Sequence, residues 1–144
     1  MRASFARQHF MNTLGAELGA VEPGRCEIRL AWREGLGQQH GYFHAGALAT
    51  IADTAAGYAA YTLMPADSSV LSIEFKINLL RPADGELVIA RAEVIRPGRR
   101  VSTCRADVFT EKGGAQKLCA TALLSMMCLP GRADAPNERA GGLT

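Results

Sequence analysis

One carboxylate, Asp53, lies inside a stretch of small and apolar residues that spans positions 45–63. Burying a carboxylate is costly unless it is paired or hydrogen-bonded, so a residue of this kind needs either a partner or a chemical task. One interpretation is a structural carboxylate that a backbone amide or a cation such as Arg81 satisfies. The other is a general base or nucleophile, which requires support from neighbouring residues.

That support lies just before the stretch, where Gln38, His44, Ala45 and Gly46 bring polar and small residues to a helix start. The first amides of a helix have no intrahelical acceptor, so they can stabilise a carbonyl oxygen that gains negative charge. Each such donor contributes about 3 kcal/mol to the transition state. Small side chains let a carbonyl approach, and the Gln38 amide is a further donor. Taken singly, Gln38 and His44 are better explained as helix caps, but the features together favour a site.

The spacing of these groups sets a geometric condition. Asp53 follows His44 by nine residues, or about 13 Å along a straight helix. One helix therefore cannot easily present both its N-terminus and its own Asp53 to the same carbonyl group. Two antiparallel copies across a dimer can do so, and we predict a site shared between subunits.

Other chemical patterns in the chain are weaker. His40 and His44 lie four residues apart, but no His-Glu-x-x-His pattern follows and Gly41 disfavours a helix, so we predict no metal site. No nucleophile elbow, phosphate-binding loop or dinucleotide fingerprint occurs. Ser72 follows the helix closely enough to line the same pocket, although most such serines are ordinary strand residues.

Basic residues follow the helix along the predicted strands and turns. They are Lys76, Arg81, Arg96, Arg99 and Arg100. One interpretation is that they lie on a solvated edge of the sheet. The other is that they form a phosphate-binding rim, in which Arg99 and Arg100 hold a nucleotide diphosphate beside the turn at 97–98.

The elements that must position these residues follow from periodicity. We predict one N-terminal helix over 5–14 acting as a lid or brace, a half-buried strand over 25–32, a loop over 33–43 and one long helix over 45–63. Strand-like stretches follow at 70–80, 86–96, 101–110 and 116–129, with hairpin turns at 82–85, 97–98 and 112–114. This order predicts an α+β domain in which an antiparallel sheet curls around the helix. A partner subunit is the natural cover for the other side of that helix.

Bulk properties limit the range of functions. The 144 residues predict a single domain over residues 1–130, followed by a flexible tail over 131–144. A net charge of +2 does not imply a nucleic-acid partner. No signal peptide or membrane-spanning segment is predicted, and no Cys-x-x-Cys pair occurs, so we expect a cytoplasmic protein with reduced thiols.

The pattern Gln38-x-x-Gly41-x-x-His44-Ala45-Gly46, with Asp53 nine residues after the histidine, resembles a known signature. It is similar to that of hot-dog-fold thioesterases of the phenylacetic-acid-degradation (PaaI) type, a group that includes 4-hydroxybenzoyl-CoA thioesterases. The strand over 71–82 and the turn over 97–101 fit the same pattern. The resemblance covers about residues 10–129.

The resemblance implies an acyl-CoA thioesterase in which Asp53 activates water or attacks the thioester carbon directly. It implies that the Ala45 amide and Gln38 polarise the carbonyl, that His44 orients the loop or the substrate, and that Ser72 helps to position the water. The implied substrate-binding residues are Gly46, Gly57, Lys76, Arg81, Arg99 and Arg100. No cofactor is implied, because coenzyme A is part of the substrate. Family members form homodimers or homotetramers with the site between subunits, which agrees with the distance argument.

Several departures leave the acyl group unassigned between aryl and short- or medium-chain classes. Ala45 replaces the first glycine of the usual His-Gly-Gly, and Gln38 matches the 4-hydroxybenzoyl-CoA branch. That branch, however, has Glu where Asp53 stands and Thr where Gly57 stands. Aromatic and apolar residues that could line an acyl pocket, or simply form core, are Phe43, Tyr58, Tyr61, Leu63 and Met64.

Two rival functions remain on the same fold. One is a non-catalytic module that binds acyl thioesters, which the retained carboxylate of Asp53 disfavours. The other is a hot-dog dehydratase or hydratase, for which no sequence motif is visible.

Overall fold

The computed structural model describes residues 1–132 and residue 134. The helices are α1 (Arg2–Ala6), α2 (His9–Leu14) and α3 (Ala45–Tyr61), with a short 3-10 turn at Glu34–Leu36. The strands are β1 (Ala16–Glu22), β2 (Arg25–Ala31), β3 (Ser69–Leu79), β4 (Leu87–Arg96), β5 (Val101–Lys112) and β6 (Ala115–Leu129). The predicted flexible tail over 131–144 lies almost wholly outside the described residues.

The six strands form one antiparallel sheet in the order β1-β2-β4-β5-β6-β3, and α3 packs on one face of it. In β5 every second side chain, including Cys104, Ala106 and Val108, is buried towards the helix. This alternation is what a sheet with one solvated face requires. The α+β architecture with one central helix is therefore as predicted.

Helix α3 fits under the sheet because its buried face consists largely of alanine, with Leu48 and Ile51 as the larger side chains. It begins at Ala45, directly after the cap residue His44, and ends two residues earlier than predicted, at Tyr61. The opposite face is half-buried and carries Ala49, Thr50, Asp53, Thr54 and Gly57. The carboxylate therefore lies on the side of the helix that the sheet does not fully cover.

Four expectations about the elements were wrong. The N-terminal helix is two short helices, and β1 was not predicted. The last four strands are not a simple meander, because β3 pairs with β6 while β2 lies beside β4. The segment 82–85 is consequently a connection between distant strands and not a hairpin turn. Alternation of side chains defines a buried face, but it carries no information about which strands are neighbours.

Strand β3 closes one end of the sheet and has a strand partner on one side only within the described chain. Large apolar side chains along it are about half exposed: Leu71 56%, Ile73 49%, Phe75 49% and Leu79 54%. We call this strand with its exposed side chains the β3 edge. An apolar, unpaired edge is a template for pairing with another strand, and proteins that remain monomeric usually protect such edges.

In the described part of the chain, none of the helices is long and apolar enough to cross a membrane.

Candidate active site

Asp53 is held by a serine from the neighbouring strand. Ser72 Oγ donates a hydrogen bond to Asp53 Oδ1 at 2.6 Å, and it lies 3.5 Å from Met126 Sδ. Ser72 faces the helix because it pairs in register with Met126, whose side chain is buried on the inner face of the sheet. Neither Arg81 nor a backbone amide pairs with Asp53 among the described residues. The hydroxyl fixes one carboxylate oxygen, and no donor to the other oxygen occurs in the part of the chain that the structure describes.

A cavity of about 200 Å³ opens beside this carboxylate, between α3, β3 and the N-terminal helices. We call it the Asp53 cavity. Its walls include Ser4, Gln8, Gly57 and Tyr58. A Cβ atom added at Gly57 would meet no atom within 4 Å, so the missing side chain leaves room in the cavity.

The first turn of α3 has one backbone amide to spare. His44 Nδ1 accepts from the Gly46 amide at 2.9 Å, and the His44 carbonyl accepts from the Ala47 amide at 2.9 Å. The Ala45 amide has no acceptor in the described part of the chain. His44 therefore acts as the helix cap, and the predicted oxyanion donor, the N–H of Ala45, is the amide that remains available.

Gln38 is oriented by a tight turn in the loop before α3. Its side-chain Oε1 accepts from the His40 amide, and its backbone amide donates to the Tyr42 carbonyl at 2.8 Å. Because the oxygen is engaged, the side-chain NH₂ of Gln38 is the group left to donate. It lines the same cleft as Ala45, a groove of about 530 Å³ that we call the Ala45 cleft.

The two groups of site residues are separate within one chain. The Asp53 cavity and the Ala45 cleft share no lining residue. Along α3 the two residues are separated by eight positions, or about 12 Å. The structure thus brings together Asp53 with Ser72 and Gly57, and Ala45 with Gln38, His44 and Arg81, but not one group with the other.

The basic residues do not form a continuous rim in a single chain. Arg81 lines the Ala45 cleft. Arg99 and Arg100 lie in the turn between β4 and β5 near the start of β3, where the Arg100 carbonyl accepts from the Cys128 amide. Lys76 pairs in register with Leu123 on the outer face of the sheet and donates to Asn78 Oδ1 at 3.1 Å, away from Asp53.

Two residues of the cavity were missed by sequence reasoning. Ser4 Oγ and Gln8 Nε2 lie 3.0 and 3.1 Å from the Tyr58 hydroxyl, more than 49 positions away in the chain. Nothing in the local sequence around Ser4 or Gln8 signals this contact, because it depends on how α1 and α2 pack against α3. The prediction that the N-terminal helix acts as a lid or brace was the one indication that this segment contacts α3.

Comparisons with known proteins place this chain in a family. Residues 40–117 match the thioesterase superfamily. A 1,4-dihydroxy-2-naphthoyl-CoA hydrolase from Listeria monocytogenes is 33% identical over 99 residues, covering 69% of this chain and 80% of that protein.

Solved structures extend the comparison to the whole fold. A thioesterase family protein from Silicibacter pomeroyi is 44% identical, with a TM-score of 0.88 over 90% of this chain and 96% of that chain. The PaaI protein of Escherichia coli, from the phenylacetic acid degradation operon, shares the fold at 20% identity, with a TM-score of 0.82 and 92% of each chain covered. The predicted hot-dog fold is confirmed.

Proposed function

Because this chain belongs to the thioesterase superfamily and is a thioester hydrolase, we propose that it cleaves acyl-CoA thioesters at a site built by two copies of the chain. The products are a free acid and coenzyme A. The observation that carries the proposal is the pair of complementary half-sites on α3. One is a carboxylate oriented by Ser72, and the other is the Ala45 amide, which has no acceptor among residues 1–132 and 134.

In the proposed reaction, the thioester carbonyl oxygen accepts hydrogen bonds from the Ala45 amide and the Gln38 side chain. The Asp53 carboxylate removes a proton from water, whose oxygen adds to the carbonyl carbon. The C–S bond then breaks, and the proton taken up by Asp53 goes to the departing thiolate. Direct attack by Asp53, followed by hydrolysis of the resulting anhydride, uses the same groups and remains the alternative. His44 serves by capping the helix, which keeps the Ala45 amide directed into the cleft.

The β3 edge supports a shared site. Asp53 contacts Ser72 near the start of β3, whereas Leu79, at its end, lines the Ala45 cleft. When an edge strand pairs with its own copy around a twofold axis, the two strands run antiparallel. Such an axis near Phe75 places the start of β3 in one copy beside the end of β3 in the other. Asp53 of each copy thereby approaches the Ala45 cleft of the second.

The same twofold arrangement accounts for the divided basic residues. Arg99 and Arg100 lie at the end of the sheet where β3 starts, and Arg81 lies where β3 ends. Antiparallel pairing of β3 brings Arg99 and Arg100 of one copy towards Arg81 of the other. Together they provide the cationic surface that the phosphates of coenzyme A require. Lys76 has no part in this rim, because it lies on the outer face.

The function is tested by the release of free thiol from a panel of acyl-CoAs with aryl, short-chain and medium-chain acyl groups. We expect turnover of at least one class. If acyl-CoA binds stoichiometrically and no member of the panel releases thiol, the result would favour a non-catalytic binding module. Release of water or uptake of water at the acyl chain, with the thioester intact, would instead identify a dehydratase or hydratase.

We expect Phe75→Glu to yield a monomer with at least a hundredfold lower activity, because the charge would be buried in the strand pairing that completes the site. The measurement is sedimentation velocity together with thiol release at the same protein concentration. Phe10→Glu is the matched control, since Phe10 is 59% exposed and belongs to α2, not to strand β3. A monomeric Phe75→Glu protein with full activity would contradict the shared site.

A further inference from the structure

The Asp53 cavity ends in a cluster of polar side chains that the proposed reaction does not use. Tyr58 is only 4% exposed, and its hydroxyl lies 3.0 Å from Ser4 Oγ and accepts from Gln8 Nε2 at 3.1 Å. All three residues line the cavity. Phe5 packs against the Tyr58 ring at a centroid distance of 5.9 Å, which holds α1 and the tyrosine together.

The cluster offers both kinds of hydrogen-bonding group to a ligand. Gln8 uses one N–H on Tyr58, so its side-chain oxygen and second N–H remain available. A hydroxyl of Ser4 or Tyr58 can donate outward in the same way, depending on which of them donates to the other. Burial raises the pKa of Tyr58 above its ordinary value, so the phenol stays protonated near neutral pH. A ligand group that both donates and accepts is the best match, and a hydroxyl does both.

The charge and the volume of the Asp53 cavity further limit the kinds of acyl group that it can hold. Asp53 and Asp134 line the cavity, and no cation does so within the described residues. Arg7 pairs with Asp134 at 2.6 Å, which leaves Asp53 unneutralised. An anionic acyl group is therefore disfavoured. The cavity volume of about 200 Å³ exceeds the roughly 150 Å³ that holds a benzene molecule, so a short or aryl acyl group fits in it.

The distance between the reacting group and the cluster is fixed by the helix. Tyr58 follows Asp53 by five positions, which is about 7.5 Å along the axis of α3. These three side chains satisfy one another only in part. A purely apolar acyl group of this length would leave the Gln8 side-chain oxygen, its second N–H and the outward hydroxyl without water and without partners. Buried polar groups left in that state make a site reject the ligand that lacks the matching hydroxyl.

We propose that Ser4, Gln8 and Tyr58 are the specificity-determining residues of this enzyme, and that they select a short, uncharged acyl group with a hydroxyl near its far end. This inference rests on the proposed function, since it treats the cavity beside Asp53 as the place of the acyl group. The N-terminal helices thus form one wall of the substrate site, in addition to bracing the fold.

The test compares matched pairs of thioesters that differ by one hydroxyl. The pairs are 4-hydroxybenzoyl-CoA with benzoyl-CoA and 6-hydroxyhexanoyl-CoA with hexanoyl-CoA, and glutaryl-CoA represents an anionic end. We expect the wild-type protein to favour the hydroxylated member of at least one pair by about tenfold in kcat/KM, and to turn over glutaryl-CoA poorly. Tyr58→Phe and Gln8→Leu should each reduce that preference to about threefold or less.

Two features keep the result interpretable. Gln116→Leu makes the same change on the outer face, where Gln116 contacts Arg91 and Glu111, and it should keep the preference. If the buried Tyr58→Phe protein does not fold, Gln8→Leu alters the same cluster from a half-buried position. Turnover without a hydroxyl preference in the wild type, or a preference that survives in Gln8→Leu, would overturn this inference alone. No turnover of any acyl-CoA would instead overturn the proposed function.

Discussion

Asp53→Asn is expected to lower kcat for acyl-CoA hydrolysis by about a thousandfold, within the range that a general base contributes. The substitution keeps the size of the side chain and a carbonyl oxygen that can accept from Ser72, but it removes the basic oxygen. If Asp53 instead attacks the thioester carbon directly, the same substitution also lowers kcat, because it removes the nucleophile. The measurement is steady-state thiol release at saturating acyl-CoA, with thermal unfolding to establish that the variant is folded.

A matched carboxylate elsewhere in the chain provides the control. Thr121 Oγ1 donates to Asp107 Oδ1 at 2.6 Å, which reproduces the hydroxyl–carboxylate pair of Ser72 and Asp53 away from the cavity. Asp107→Asn should leave kcat within about twofold of wild type, as expected for a substitution outside the site. Undiminished hydrolysis by Asp53→Asn would remove the carboxylate from the mechanism.

Ala45→Pro is expected to lower kcat by about a hundredfold to a thousandfold without unfolding the protein, because it deletes one amide donor to the oxyanion. Ala45 is the first residue of α3, where proline is well tolerated. The preceding His44 has φ −66° and ψ 139°, which is the extended conformation that a residue before proline prefers. Ala45→Gly retains the N–H and should stay close to wild-type activity. Equal activity of the proline and glycine variants would exclude the Ala45 amide as a donor.

The Asp53→Asn and Ala45→Pro variants also distinguish a shared site from two sites that each lie in one chain. In a random mixture of the two, half of the dimers pair one variant with the other, and each of these has one intact site if the site is shared. About a quarter of wild-type activity should then return on co-expression. Activity that stays at the level of the separate variants would place both half-sites in the same chain.

The residues of the candidate site could be proposed from the sequence, whereas the order of the strands could not. Asp53, Gln38 and Ala45 were identified because a carboxylate among alanines and polar residues before a helix start are local patterns. Ser72 was recognised as a candidate, and its hydrogen bond to Asp53 supports that choice. Local patterns are short enough to be read directly, since they depend on spacing within one element.

Features that depend on tertiary packing were not predicted. Strand β1 escaped notice because a register shift between Leu18 and Val21 breaks its alternation. The position of β3 beside β6 follows from the path of the chain around α3, which no single strand encodes. For the same reason the sequence did not reveal that Arg99 and Arg100 lie at the end of the sheet opposite to Arg81.

The packing of α1 and α2 has a consequence for how such an enzyme diversifies. The groups proposed to choose the acyl chain lie in a short segment ahead of β1, attached to the core chiefly by Phe5 and Met11. The groups proposed to break the thioester lie on α3 and its preceding loop. Changes confined to the N-terminal segment could therefore alter the substrate specificity while the residues proposed for hydrolysis stay the same. Related enzymes that differ mainly before β1 would then share one hydrolytic site and differ in the acyl groups that they accept.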